Sequence, residues 1–188
     1  MNWGMKQIAA SEDLGLPTAA QRKIANSASS RAELLASRIE EGAARLGRFV
    51  EKLSEAEWRT PVSATDRRSI GVIVHHVASA YPVEVELARA IANGKAVTDV
   101  TWEAVTEMNA KHAKNHSEVT KEDALDLLCQ NSCEAVAAVR EFTDEELDRA
   151  APLGLTFGAP VTAQFVIEDH AVRHSWHHLA RIRTALDR

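Results

Sequence analysis

The segment VRHSWHHLARIR, residues 172–183, holds three of the chain's eight histidines. His174 and His178 stand four apart, and in a helix that spacing stacks two imidazoles on one face, close enough to share a divalent ion. The pair reads HSWHH, without the internal glutamate that acts as base in the zincin motif, so that type of metalloprotease is excluded. Two histidines alone hold a metal weakly, and a site needs at least one further protein ligand. The plain alternative is a pair of core-edge histidines satisfied by hydrogen bonds.

Turning the last helix at about 100° per residue sorts its histidines. Gln164, Ala171, Ser175, Leu179, Ile182 and Leu186 define an inward side. Taking Ile182 as its centre, His178 falls about 40° away and His174 about 80°, whereas His170 and His177 fall roughly 120° and 140° away. His174 and His178 are therefore the inward pair, with His170 and His177 at the edge or in solvent. The adjacent His75 and His76 offer the third ligand. Measured from Ile73, His76 lies about 60° off the core stripe and His75 about 160° off, so His76 is expected to face the bundle and His75 is not. Three imidazoles from two facing helices would leave an open coordination position. That arrangement suits catalysis by a borderline ion such as zinc, nickel or cobalt. A second pair, His112 and His116 in HAKNH, sits in a polar stretch and reads as a solvated face, with a site as the alternative.

These side chains need long helices to carry them. Residues 1–20 read as an irregular leader, and residues 21–188 as one domain. A first helix is expected over 21–54, with a break near residues 28–30 and a stripe of Leu35, Ile39, Leu46, Phe49 and Leu53. A second fits residues 69–93, with Ile70, Ile73, Val77, Tyr81, Glu84, Ala88 and Ile91 inward, a kink at Pro82 and a stop at Asn93-Gly94. A short helix covers 101–114. A third long helix starts after Thr120, a good cap followed by Glu122 and Asp123, and carries Leu125, Leu128, Cys129, Val136 and Val139. The last runs from Val161 to Leu186, after a loop in which residues 154–157 read as a short extended piece. Four long amphipathic helices define an all-α four-helix bundle. Cys129 and Cys133 share one helix, where parallel Cβ directions disfavour a bridge; they read as buried small hydrophobes.

Two of these motifs resemble the DinB/YfiT-like superfamily of metal-binding four-helix bundles, which includes the N-terminal domain of mycothiol-dependent maleylpyruvate isomerases. SIGVIVHHVASA, residues 69–80, is similar to the family's second helix, where an apolar stretch leads to one metal histidine followed by an apolar residue; that register selects His76. HSWHHLARI, residues 174–182, is similar to the last-helix motif and selects His174 and His178. TWEAVTEMNAKHAK, residues 101–114, resembles the middle segment, which places Asn109 at the mouth of a site. The chain departs from the pattern at Ala180 and Arg181, and at Arg67 and Arg68, where a tryptophan is common. The resemblance covers residues 31–187. It implies a divalent-metal-dependent enzyme acting on a small molecule, either a hydrolase or a transferase or isomerase using a low-molecular-weight thiol such as mycothiol or bacillithiol.

Glu84 and Glu168 share the inward sides of their helices and could tune the site, with salt-bridge partners as the plainer reading. Trp102, Trp176, Tyr81 and Phe157 are candidates to wall a pocket, with helix packing the plainer reading for Trp176. Arg67 and Arg68 could attract an anionic co-substrate, or be exposed charge and nothing more. The competing class is a non-enzymatic, stress-associated metal-binding bundle whose site a fourth protein ligand closes; a bundle with no metal is the third reading. A net charge of −5, with no basic run interleaved with aromatics, gives no reason to expect nucleic acid. Without an apolar signal segment or an 18-residue apolar run, cytoplasmic residence and no membrane are expected, and apolar helix edges favour a homodimer.

Overall fold

The computed structural model describes residues 29–188, so the leader and the first helix's expected upstream portion lie outside the described residues. Helix α1 spans Ser30–Val50, and its N-cap, Ser29, accepts a hydrogen bond from the Ala32 amide at the place where the sequence shows a break. A short helix, α2, covers Glu55–Trp58. Helix α3 is Ile70–Ala92, α4 is Trp102–Asn115, α5 is Lys121–Arg140 and the short α6 is Asp144–Asp148. A small antiparallel hairpin follows, β1 (Ala150–Pro152) with β2 (Pro160–Thr162), and its connection contains a 3-10 turn at Gly154–Thr156 rather than the expected extended piece. The final helical run is α7 (Ala163–Val166), a π-helical segment (Ile167–Val172) and α8 (Arg173–Ala185).

The four long pieces close a ring, with α3 on α5, α5 on α1, α1 on α8, and the π segment and α8 back on α3. Their inward stripes form the core: Leu35, Ile39, Leu46, Ile73, Val77, Tyr81, Ile91, Leu128, Val139, Leu179 and Ile182 are all buried. Each such aliphatic side chain contributes about 1.5–3 kcal/mol when taken from water. Capping follows the sequence, with Ser69, Thr101 and Thr120 each accepting a hydrogen bond from the amide three residues on. Among the described residues, no helix is long and apolar enough to cross a membrane.

Pro82 lies inside α3, and the helix runs through it without interruption. Proline has no N–H for the carbonyl four residues back. The Asn131 side-chain amide on α5 donates to that carbonyl, Ala78 O, at 2.9 Å. The lost backbone bond is thus replaced by an interhelical one.

The start of α3 is seated by a tryptophan. Trp58 is 1% exposed, its indole N–H donates to Val119 O at 3.1 Å, and a Cβ on Gly71 would lie 2.5 Å from its ring. The loop before α3 is tied down by Asp66, which accepts from Arg68 Nε at 2.9 Å and Nη2 at 2.7 Å, and from Arg181 Nη2 on α8 at 2.8 Å. Arg68 is therefore neutralised within the chain, and Arg67 is exposed. The Arg68 hydrogen bonds first, and then Arg181, hold the Asp66 carboxyl far below the ordinary aspartate range. A depressed folded-state pKa contributes stability that is present above the unfolded value and lost as pH falls through the folded one. Asp66→Asn is accordingly expected to lose about 1.5–3 kcal/mol at pH 6–7. In urea melts its deficit against the parent should shrink steadily below pH 4; a deficit unchanged at pH 2.5 would contradict the ion-pair account.

Cys129 and Cys133 are free and exposed, not buried. Helix α5 turns Ala124, Leu128, Ser132, Ala135 and Val139 to the core, which leaves the cysteine pair at the outer lip of a groove of ≈550 Å³ beside α1.

Candidate metal centre

His76, His174 and His178 come together from α3 and α8, with one ligand nitrogen from each lying within 4.8 Å of the others. His174 Nε2 is 3.1 Å from His76 Nε2, and the ring centroids of His174 and His178 are 4.9 Å apart. Two nitrogens bound to one tetrahedral zinc at about 2.0–2.1 Å would sit roughly 3.4 Å apart, so small shifts of these imidazoles would admit an ion.

On its other side, His174 Nδ1 lies 2.6 Å from Glu84 Oε1, and the Glu84 side chain is only 10% exposed. The carboxylate can only accept, so Nδ1–H donates and the Nε2 lone pair is left facing the other two rings. A carboxylate behind a ligating imidazole fixes the ring's tautomer and raises its basicity. Burial, and after it the neighbouring His174, pushes the His76 pKa down to about 3; burial likewise takes His178 down to about 2. Both are neutral at pH 7, the form in which imidazole binds a metal. His178 Nδ1 and Glu84 Oε2 are buried without hydrogen-bond partners. Unpaired buried polar atoms of this kind ask for a partner, and the set of three imidazoles fits a borderline divalent ion.

The triad opens on a cleft of ≈380 Å³ lined by α3, α4, the 3-10 turn and the last helical run. Val83, Leu87, Val100, Val105 and Met108 give it apolar walls. Trp102 lines it with its indole N–H donating to Leu155 O at 2.9 Å, and Asn109 lies on the same wall. The other aromatic candidates do not reach it. Tyr81 is fully buried with its hydroxyl 2.6 Å from Ser175 Oγ, Trp176 packs over Gly42 beneath Arg45, and Phe157 is 92% exposed.

The constant-phase reading fails at the π segment. Each of its turns closes one residue late, so phase slips by about one residue, roughly 100°, between α7 and α8. His170 consequently lines the cleft with its side chain 16% exposed, while Glu168 turns outward to Arg38 at 3.3 Å. Burial lowers the His170 pKa. His177, expected at the edge, is exposed at the cleft's rim.

The sequence profile of the DinB superfamily matches residues 38–182. The chain belongs to the DinB superfamily. Among solved structures, YfiT from Bacillus subtilis, described as a probable metal-dependent hydrolase with an unusual four-helix bundle topology, superposes with a TM-score of 0.66 at 21% identity, covering 85% of this chain and 89% of that one. The mycothiol-dependent maleylpyruvate isomerase gives a TM-score of 0.60 at 16% identity, covering 80% of this chain and 60% of the isomerase. At these identities the likeness is one of fold. Comparison with curated protein sequences gives no match. The four-helix bundle of this DinB superfamily member thus agrees with the expectation from its helical periodicity.

Proposed function

We propose that the protein is a divalent-metal-dependent enzyme acting on a small molecule, with His76, His174 and His178 as the ligands of a zinc or nickel ion. The observation that carries this reading is the three-imidazole cluster on the wall of an open, largely apolar cleft of ≈380 Å³, the size of a small-molecule site. A fourth protein ligand would favour a structural site, and among the described residues the group consists of three. A bound ion would supply Lewis acidity at the cleft, for hydrolysis or for activating a thiol co-substrate in transfer or isomerisation.

The chain's own groups define what happens around it. Glu84 orients His174. Val83, Val105 and Met108 exclude water from the apolar part of a substrate, and Asn109 offers a neutral hydrogen-bonding group beside them. His170, kept neutral by burial, is placed to accept or return a proton within the cleft. Cytoplasmic residence and a symmetric homodimer complete the proposal.

Metal analysis of protein prepared without chelator tests the reading, with an assay panel of ester, amide and thiol-transfer substrates run with and without mycothiol or bacillithiol. Zinc or nickel bound at this cluster, with one equivalent lost on removing His174, is expected; protein with no metal and no affinity for added zinc would overturn it. Glu84→Gln keeps the shape but removes the charge behind His174. It is expected to weaken metal binding by about 10–100-fold in chelator competition. A change below threefold would reduce Glu84 to a packing partner.

A further inference from the structure

His75 was expected to face away from the bundle and the His112–His116 pair to face solvent; the fold instead brings all three together. His75 retains 9% exposure, its Nδ1 is 2.9 Å from His112 Nε2, and its ring stacks on His116 with centroids 4.0 Å apart. The rings of His112, in the last turn of α4, and His116, its C-cap, are 4.6 Å apart, and one ligand nitrogen from each residue lies within 4.8 Å of the others.

We propose that His75, His112 and His116 form a second divalent-metal site, for an ion of the zinc, cobalt and nickel class, which pins α4 against α3.

Hydrogen bonding within the triad leaves it incomplete. One proton between His75 Nδ1 and His112 Nε2 satisfies that pair, yet His112 Nδ1 remains buried with no partner. No carboxylate among the described residues makes an ion pair with any of the three, in contrast to His174 with Glu84. Protonated, the rings would repel one another at these distances; neutral, they present a crowded set of lone pairs that a soft-to-borderline cation resolves. The absence of oxygen donors from the group disfavours magnesium and calcium. Burial, aided by His116 and His75, brings the His112 pKa down to about 4, which supports the neutral state.

The placement gives such an ion a structural consequence. Helix α4 has no buried residue of its own, yet Trp102, Val105, Met108 and Asn109 on it wall the cleft. A cross-link from His112 and His116 to His75 would hold that wall in place. The adjacent His75 and His76, about 100° apart around α3, would then serve two different ions. The two clusters adjoin, with the His76 and His112 rings 5.6 Å apart edge to face.

Equilibrium dialysis against cobalt(II) and zinc(II), read by elemental analysis, counts the sites in the full chain. Two equivalents are expected for the parent, one for His112→Ala and one for His116→Asn. His174→Ala should also retain one, and the His112→Ala/His174→Ala chain none. Amide hydrogen exchange over residues 102–116 should slow on adding zinc to the parent and to His174→Ala, but not to His112→Ala. Circular dichroism of the ion-free variants separates loss of a ligand from loss of fold. A parent whose single equivalent is lost in His174→Ala, or a His112→Ala chain that matches the parent in uptake and exchange, would overturn the second site. Loss confined to His174→Ala would leave only the first.

Discussion

Replacing His174 with alanine is expected to lower affinity at the His76–His174–His178 cluster by about 10²–10³-fold. Structural zinc sites with four ligands bind with about 10–16 kcal/mol, so one ligand accounts for about 3–4 kcal/mol. His174 is the most consequential of the three because two contacts meet on it: Nε2 faces His76 at 3.1 Å, and Nδ1 is held by Glu84 at 2.6 Å. Its removal also leaves a nearly buried carboxylate without its donor, which adds about 1–3 kcal/mol of destabilisation. His76→Ala removes a ligand without stranding Glu84, and the two variants together separate the effects. Both should lose the ion, and His174→Ala alone should show the additional drop in ion-free stability. Metal affinity retained within threefold in both variants would remove the basis for a catalytic ion at this cluster.

The second large effect is expected at a residue that does not line the cleft. Trp58→Ala should destabilise the fold by about 3–5 kcal/mol, since the indole is fully enclosed and its N–H satisfies the Val119 carbonyl. The ring rests on Gly71, in the first turn of α3, only a few residues before His75 and His76. Gly71→Ala in the parent pushes a methyl group to within 2.5 Å of the indole and should cost about 1–3 kcal/mol by overpacking. In the Trp58→Ala background the same methyl group enters vacated space, so the double variant should be more stable than the sum of the two losses predicts. Urea unfolding of the four chains gives the cycle. Additivity within about 0.5 kcal/mol would mean that Trp58 does not seat α3 through Gly71.

How much of this was legible in the sequence depended on whether each helix has one buried side. For α1 the stripe gave the element and its face, with Ser29 capping it where the sequence shows a break, and for α5 Thr120 marked the first turn. The inward facing of His76, His174 and His178 was reachable because Ile73 and Ile182, the reference residues, are fully buried. His75 was misplaced because α3 is covered on more than one side. Val72, Ile73 and Val74 are all buried, and three consecutive apolar residues before His75 were the available signal of a helix buried nearly all round. The His112–His116 pair offered no such signal, since α4 takes its partner from α3 and not from its own stripe. Cys129 and Cys133, expected to be buried small hydrophobes, are exposed because the inward positions after Leu128 are Ser132, Ala135 and Val136.

The π segment between α7 and α8 carries an evolutionary consequence. Loss of a single residue within Ile167–Val172 would let the backbone close as ordinary α-helix with α7 upstream and α8 downstream kept in their present phase, because the π turn already absorbs one extra residue. His174 and His178, downstream of it, would keep their facing toward His76, and the change would be confined to the side chains of the segment itself. One codon's insertion or deletion can therefore change the lining of the cleft while leaving the three-histidine cluster in register.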